Sequence, residues 1–473
     1  MRLASYLRIC GYLGLASRLQ AQEYQSHFPP AEFQARWQRI FEQIGDQAQA
    51  VLQGAEDPGA FVYPRQGNDF YYLCGVENPG AYLVLDGRTR KVTLYLPSAG
   101  RPRRAPLNPA VSKKPTWERV LSLDDPDKVK RFTGVDEVRS VSELKAFTAG
   151  IIYTLFSPAE GLAQPRAAAN GRNQKIAADY WDGRVSKEKN FIALLKSRHP
   201  QAELRDLTPL LDEMRSVKSP REIELMRKAG QLAGQGLNAA MKATKPGVYE
   251  YQLEAAARFV FLDHGARLEG YNSTVASGVT NISNGHYCFN SSQLKDGDLV
   301  LMDYSPDYGY YTSDIGRVWP VNGKFAGYQR EICQVILEYH KAVLSRIRPG
   351  ARVRDIMADA AQAMEPILAR TKFSKPEYEN ACRKMVTTGG GVFSHTVGMT
   401  VHDVGSYSRA PLKTGQVFSI DPAVRVPEEN LYLRVEDTVA VTDKGVEVFT
   451  ASAPIELDEI EKMIQSGNRA RER

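Results

Sequence analysis

Cysteine is scarce, with five residues in 473 (Cys10, Cys74, Cys288, Cys333, Cys382) and no CxxC pair. That spacing argues against a zinc knuckle and against a disulfide framework. No apolar run approaches the roughly 18–20 residues a bilayer-spanning helix needs, so no membrane partner is expected. HExxH is missing, and no serine sits in GxSxG. The glycine run 389–391 has neither the GxGxxG nor the GxxxxGK[ST] form, which leaves a phosphate cradle unsupported. Surplus charge is small as well: 61 basic against 55 acidic residues, a formal +6. Spread over this length without a basic stripe, it makes no case for a nucleic-acid partner. Short repeats and low-complexity tracts are absent.

What is there is an ordinary globular composition, 43% hydrophobic and 25% charged, long enough for two or three domains with real cores. Residues 1–22 leave two readings open. Arg2 and Arg8, a short apolar core from Ile9 to Ala16 and Leu19-Gln20-Ala21 fit a signal peptide, which would send the protein to the periplasm or outside. A short amphipathic helix fits too, and with it a cytoplasmic protein. Phe33, Trp37, Ile40, Phe41 and Ile44 predict a helix over 31–53. Two apolar runs around Asp86-Gly87 predict a hairpin within 81–97. Residues 98–115, rich in proline and basic side chains, predict an exposed loop.

The sharpest boundary falls near 215–220, where Ser219-Pro220-Arg221-Glu222 is a capping box with proline at the first helical position. A long helix follows and stops at Pro246-Gly247; two more are expected over 328–347 and 352–370. Strand-like runs occupy 298–304, 308–321, 415–421 and 431–442, and QSGNRARER at the end is expected to fray. The resulting division is 23–213 and 214–460, with a tail over 461–473.

The chemistry concentrates in the second half. Apolar runs end on Asp303 in DLVLMD and on Asp421 in QVFSID; Asp314 follows Asp303 by eleven residues, and Glu436 lies inside LYLRVEDTVAV. Because strand side chains alternate faces, Val417, Ser419 and Asp421 share one face, as do Arg434, Glu436 and Thr438. A carboxylate in such a strand pays for desolvation unless it is paired or bound to a cation. One such acid is usually a strand end facing water; four in one domain, with His395 nearby, make a divalent-cation site the better reading. Three acids and a histidine fill one such site, and a fourth acid allows two ions to be bridged. Of only seven histidines, His286, His395 and His402 all fall here, and Asp403 could orient the ring of His402. Asn272, Asn281 and Asn290 stand in N-x-Ser/Thr patterns inside the same stretch, which argues against their glycosylation.

With those residues in hand, the second half resembles the metallopeptidase family of aminopeptidase P and prolidase. MRSVKSPREIELMRKAG (214–230), GDLVLMDYSPDYGYYTSDIGRVWPVNGKF (297–325), FSHTVGMTVHDVG (393–405), VFSIDPAV and LYLRVEDTVAVT follow the family's motif order over about 214–460. NDFYYLCGVENPGAYLVL (68–85) more loosely resembles its N-terminal domain. The resemblance implies an α+β chain of two domains: an N-terminal mixed α/β domain and a C-terminal pita-bread catalytic domain, a curved antiparallel sheet flanked by helices. It implies that Asp303, Asp314, His395, Asp421 and Glu436 hold two divalent metal ions, Mn²⁺ by the same likeness, with Asp314 and Glu436 bridging. Asp421 would also be the general base. His286 would line the substrate pocket, His402 would contact the scissile carbonyl or the tetrahedral intermediate, and Arg434 would stand beside the last ligand. The implied activity is an Xaa-Pro aminopeptidase acting on a peptide with proline second, in a protein that can form homo-oligomers. An Xaa-Pro dipeptidase and a catalytically silent binding module of the same fold are the alternatives.

Three positions depart from the family's pattern. Asp421 stands where glutamate is usual, one methylene shorter; Gly391 stands four residues before His395 where histidine is usual; Gly316 in DIGR stands where threonine is common. None removes a ligand type, so an active enzyme is expected.

Overall fold

The computed structural model describes residues 25, 27–59, 61–63, 65–98, 121–147, 149–158, 160, 164–389 and 391–472. The segment 1–22, read as a leader or a short helix, and all but the first residue of the loop expected over 98–115 lie outside them. The fold is α+β in two compact units, as expected. One comprises the described residues up to Phe147 except two short stretches; the other comprises Gln47–Ala50, Gly67–Asp69 and Thr148 onward.

In the first unit the helix Pro30–Ile44 buries Phe33, Trp37, Ile40, Phe41 and Ile44 along one face, and the Trp37 indole donates to the Leu73 carbonyl at 2.7 Å. The helix is shorter than the sequence suggests. Gly45 takes a left-handed φ of 69° and stops it, and Ala48–Gln53 is a strand. Its AQAVLQ sequence buries consecutive residues, Ala50, Val51 and Leu52, so neither helical nor strand periodicity shows. The expected hairpin is present, with Tyr82–Asp86 antiparallel to Lys91–Leu96.

The second unit is built on an antiparallel sheet. Its strands run in the order Phe393–Thr396, Val417–Ile420, Glu436–Thr442, Ile315–Pro320, Leu299–Asp303 and Thr274–Ser277, and Gly445–Val448 pairs off Glu436–Thr442. A separate hairpin, Ala423–Val426 with Leu431–Arg434, continues directly from Asp421. Consecutive apolar residues bury both faces of the sheet: Leu299, Val300, Leu301 and Met302 are all core, as are Ile315, Val318 and Trp319. The Trp319 indole finds its partner in Thr244 Oγ1 at 2.9 Å, which satisfies the one polar group of a wholly buried side chain.

The helix Pro220–Ala243 begins as expected. Ser219 Oγ accepts from the Glu222 amide at 3.3 Å, and Glu222 Oε2 accepts from the Ser219 amide at 2.9 Å. Removing this cap with Ser219→Ala should cost about 1 kcal/mol, measured as a lower urea midpoint at unchanged slope. The helices Gly327–Leu344 and Val353–Arg370 also fall where periodicity puts them. The terminal residues do not fray at once: a helix runs over Leu457–Glu472, its Ile460 and Ile464 buried where it meets Pro220–Ala243. Two apolar residues four apart anchor a segment whose composition looks polar. No helix among the described residues is long and apolar enough to cross a membrane.

Candidate metal centre

Strand register brings distant acids together. Gly316 lies opposite both Asp303 and Glu436, the one on each neighbouring strand. Ile420 lies opposite Asp437 on one side and Phe393 on the other, which carries Asp421 and His395 to the same end of the sheet. The hairpin pairs Ala423 with Arg434, two residues beyond Asp421.

The side chains converge. Asp314, His395 and Glu436 each offer a ligand atom, all within 4.8 Å of one another. His395 Nε2 is 3.2 Å from Asp314 Oδ2, while its Nδ1 is 3.2 Å from the Thr396 carbonyl. A proton on Nδ1 then leaves the Nε2 lone pair facing the acids, the tautomer a metal ligand requires. Arg434 pairs with Asp303, with Asp421 Oδ2 at 3.3 Å and with Glu436 Oε2 at 3.2 Å. Asp303, Asp314, Asp421 and Glu436 are all at least nine-tenths buried.

Four acids against one guanidinium leave the cleft short of positive charge. Burial above all pushes the Asp314, Asp421 and Glu436 carboxyls well above their usual range; Asp303 adds to this at Asp314, and Glu436 at Asp421. At Glu436 the Arg434 charge opposes the burial. Asp421 Oδ1 is buried without a hydrogen-bond partner, and Glu436 Oε2 has the Arg434 guanidinium at 3.2 Å to balance its charge. A partnerless buried oxygen and clustered carboxylates beside an imidazole lone pair fit hard or borderline divalent cations.

Sequence reasoning passed over several residues that shape this centre. The Tyr271 hydroxyl is 2.6 Å from Asp303 Oδ1 and 2.9 Å from Asp314 Oδ1, with one hydrogen to share. Burial first, then the Asp303 charge, hold its pKa well above the ordinary phenol value, so it keeps that hydrogen. Ser419, placed on the Asp421 face by alternation, donates to Glu436 Oε1 at 2.7 Å. Thr438 Oγ1 accepts from the Asp314 amide at 2.7 Å and fixes the backbone there. Only the shared face of Ser419 and Thr438 gave a signal; Tyr271, in GYNST, gave none.

Asp437 follows Glu436 but faces the other side of the sheet. Its Oδ1 is 2.6 Å from Arg317 Nη2 and its Oδ2 is 3.1 Å from His340 Nε2. Burial, the largest influence, would raise its pKa; Arg317 and His340 outweigh it and hold the carboxyl well below the usual range.

The remaining histidines lie close by. The His402 ring is 4.2 Å from that of His395, centroid to centroid, tilted by 66°. His286 is in the loop after Gly285, its amide held by Asn284 Oδ1 at 3.1 Å; partial desolvation, then the Arg434 charge, lower its pKa. Asp403 does not serve the His402 ring as the sequence suggested. Its two carboxylate oxygens go to Arg215 and Lys218, at 2.5 and 3.1 Å, because those cations are buried and have no water to turn to.

The departures also find physical expression. A Cβ at Gly316 would stand 2.9 Å from Arg434 Nε and 3.0 Å from Glu436 Oε2, so glycine lets the guanidinium lie against the strand. Gly391 and Asp421 both line a pocket of about 620 Å³, together with Lys384, Arg425, Glu428 and Tyr432.

Comparison with known proteins places these features in a family. The model of metallopeptidase family M24 matches residues 224–443, and that of the aminopeptidase P N-terminal domain matches 33–155. The Xaa-Pro aminopeptidase of Escherichia coli strain K12 is 31% identical over 468 residues, covering 93% of this chain and 98% of that protein. That of Haemophilus influenzae is 30% identical over 465 residues, covering 93% and 99%. The structure of zinc-substituted E. coli aminopeptidase P in complex with product is similar with a TM-score of 0.71 at 28% identity, over 93% of this chain and 99% of that one.

Proposed function

The chain belongs to metallopeptidase family M24 and is a metallo-aminopeptidase, and on that footing we propose that it hydrolyses the bond between the N-terminal residue of a peptide and a following proline. The observation that carries this reading is the convergence of Asp314, His395 and Glu436 beside Asp421, whose buried Oδ1 has no hydrogen-bond partner.

Asp303, Asp314, His395, Asp421 and Glu436 would hold two divalent ions, Mn²⁺ by family likeness. When bound, such ions polarise a carbonyl and acidify a water. Asp421, with Oδ1 uncommitted, takes a proton from the attacking water and passes it to the proline nitrogen as that nitrogen leaves. His402, together with His286, donates to the oxygen on which negative charge develops. Arg434 keeps three of the carboxylates apart and oriented while the cleft is loaded. Tyr271 holds Asp303 and Asp314 from behind. Proline suits such dedicated recognition because its amide nitrogen is tertiary and its ring rigid.

The pocket beside Asp421, about 620 Å³, has room for more than one proline, which favours an extended peptide over a dipeptide. The test is cleavage by metal-stripped and Mn²⁺-reloaded protein of an Xaa-Pro dipeptide and of the same sequence extended by several residues. Metal-dependent cleavage of the longer peptide is expected. Cleavage of the dipeptide alone would make the enzyme a dipeptidase. Cleavage of neither, in protein that binds metal, would make it a binding module.

A further inference from the structure

Beside the two histidines lies a cluster of buried charges that the reaction does not touch. Arg215, 1% exposed, meets three carboxylates: its Nη1 is 2.6 Å from Asp69 Oδ1 and 3.2 Å from Glu160 Oε1, and its Nη2 is 2.5 Å from Asp403 Oδ1. Lys218 Nζ takes the other Asp403 oxygen at 3.1 Å. Arg166 closes the cluster, 3.0 Å from Asp69 and 2.7 Å from Glu160. The main chain of Asp403 is tied to Thr396 twice. The Asp403 amide donates to the Thr396 carbonyl at 2.9 Å, and Thr396 Oγ1 donates to the Asp403 carbonyl at 2.5 Å. Thr396 follows His395 and Asp403 follows His402, so the double tie fixes how the two rings face each other.

We infer that Arg215, Lys218 and Asp403 are positioning residues for the peptidase reaction: the ion-paired Asp403 carboxylate sets the place of His402 against His395. This rests on the proposed role of His402 at the developing oxyanion. Four carboxylates, Asp69, Glu160, Asp212 and Asp403, face three cations, Arg166, Arg215 and Lys218, with Asp212 Oδ1 2.9 Å from Arg166 Nη2. Such a buried network adds little stability over apolar packing but defines direction sharply. Space around Asp403 is as tightly set as its charge. A Cβ on Gly398 would stand 1.9 Å from Asp403 Oδ2 and 3.0 Å from Lys218 Cε, so even one methyl would have to move the carboxylate.

The test compares parent enzyme with Asp403→Asn, Lys218→Met and Gly398→Ala on an Xaa-Pro peptide extended by several residues, in Mn²⁺. The expected result is a fall in kcat of about 10- to 100-fold in each, because displacement of a reacting group by about 1 Å costs on that order. KM should change by less than about threefold, and metal content by elemental analysis should match the parent. If removing one partner of a buried pair prevents folding, Gly398→Ala, which changes no charge, carries the test. Parent-like kcat in folded Gly398→Ala, or a change confined to KM, would overturn the inference. A parent that cleaves no Xaa-Pro peptide would overturn the proposed reaction and this inference with it.

Discussion

Replacing Asp314 by alanine should abolish turnover and metal retention in one step, with a loss in kcat/KM of at least about 1,000-fold. Asp314 belongs to a trio whose ligand atoms lie within 4.8 Å of each other, the one such group among the described residues, and its Oδ2 faces His395 Nε2 at 3.2 Å. Losing one of three close ligands removes both charge and geometry from a site whose neighbours cannot move in, since Tyr271, Ser419 and Arg434 hold the other acids. The fold should survive, because the Asp314 amide and carbonyl both bond Thr438 Oγ1 through the main chain. In metal-free protein the variant should melt no lower than the parent. Burial and Asp303 both disfavour the ionised Asp314 carboxyl, so deleting it relieves repulsion. Metal content after gel filtration, turnover and a melting curve check all three; retained turnover would reject the assignment.

Asp421→Asn should separate binding from chemistry. The amide keeps the shape of the side chain and an oxygen ligand but loses the charge that accepts a proton. A fall in kcat of about 10²- to 10⁴-fold is expected, the range for a general base, with a smaller loss of metal than in Asp314→Ala. Asp421→Glu is the companion variant, since it restores the side-chain length usual at that position. The pocket that Asp421 lines with Gly391 leaves room on that side, so the longer side chain should fold. Its kcat should fall well short of the loss in Asp421→Asn. If Asp421→Asn turns over like the parent, the base lies elsewhere.

The parts of this molecule legible from sequence are those in which local pattern and burial agree. The Ser219 cap, the helices beginning near 328 and 352, and the apolar strands ending on Asp303 and Asp421 all announce themselves within about ten residues. So do the acids themselves, because a carboxylate closing an apolar run is an expensive thing to bury. What stayed hidden depends on partners far away in the chain. Asp403 finds Arg215 across 188 positions, and the simpler local reading, a carboxylate beside its neighbour's ring, gives way to two buried cations. Tyr271 becomes informative only when Thr274 is paired with Asp303. That the helix expected over 31–53 runs past Ile44 into the strand Ala48–Gln53 has another cause: AQAVLQ is buried on successive residues and so carries no period at all.

Glu436 and Asp437 are adjacent carboxylates turned to opposite faces of one strand, one to the cleft and one to Arg317 and His340. A one-residue slip in the register of that strand would turn each to the opposite face. The residue suited to the cleft would meet a guanidinium, and the one suited to the guanidinium would meet the cleft. Substitutions along Glu436–Thr442 can therefore accumulate one by one as the lineage diverges, but a change of length cannot. Insertions should be confined to connections outside the sheet, such as the turn Pro427–Asn430, where an added residue shifts no acid from one face to the other.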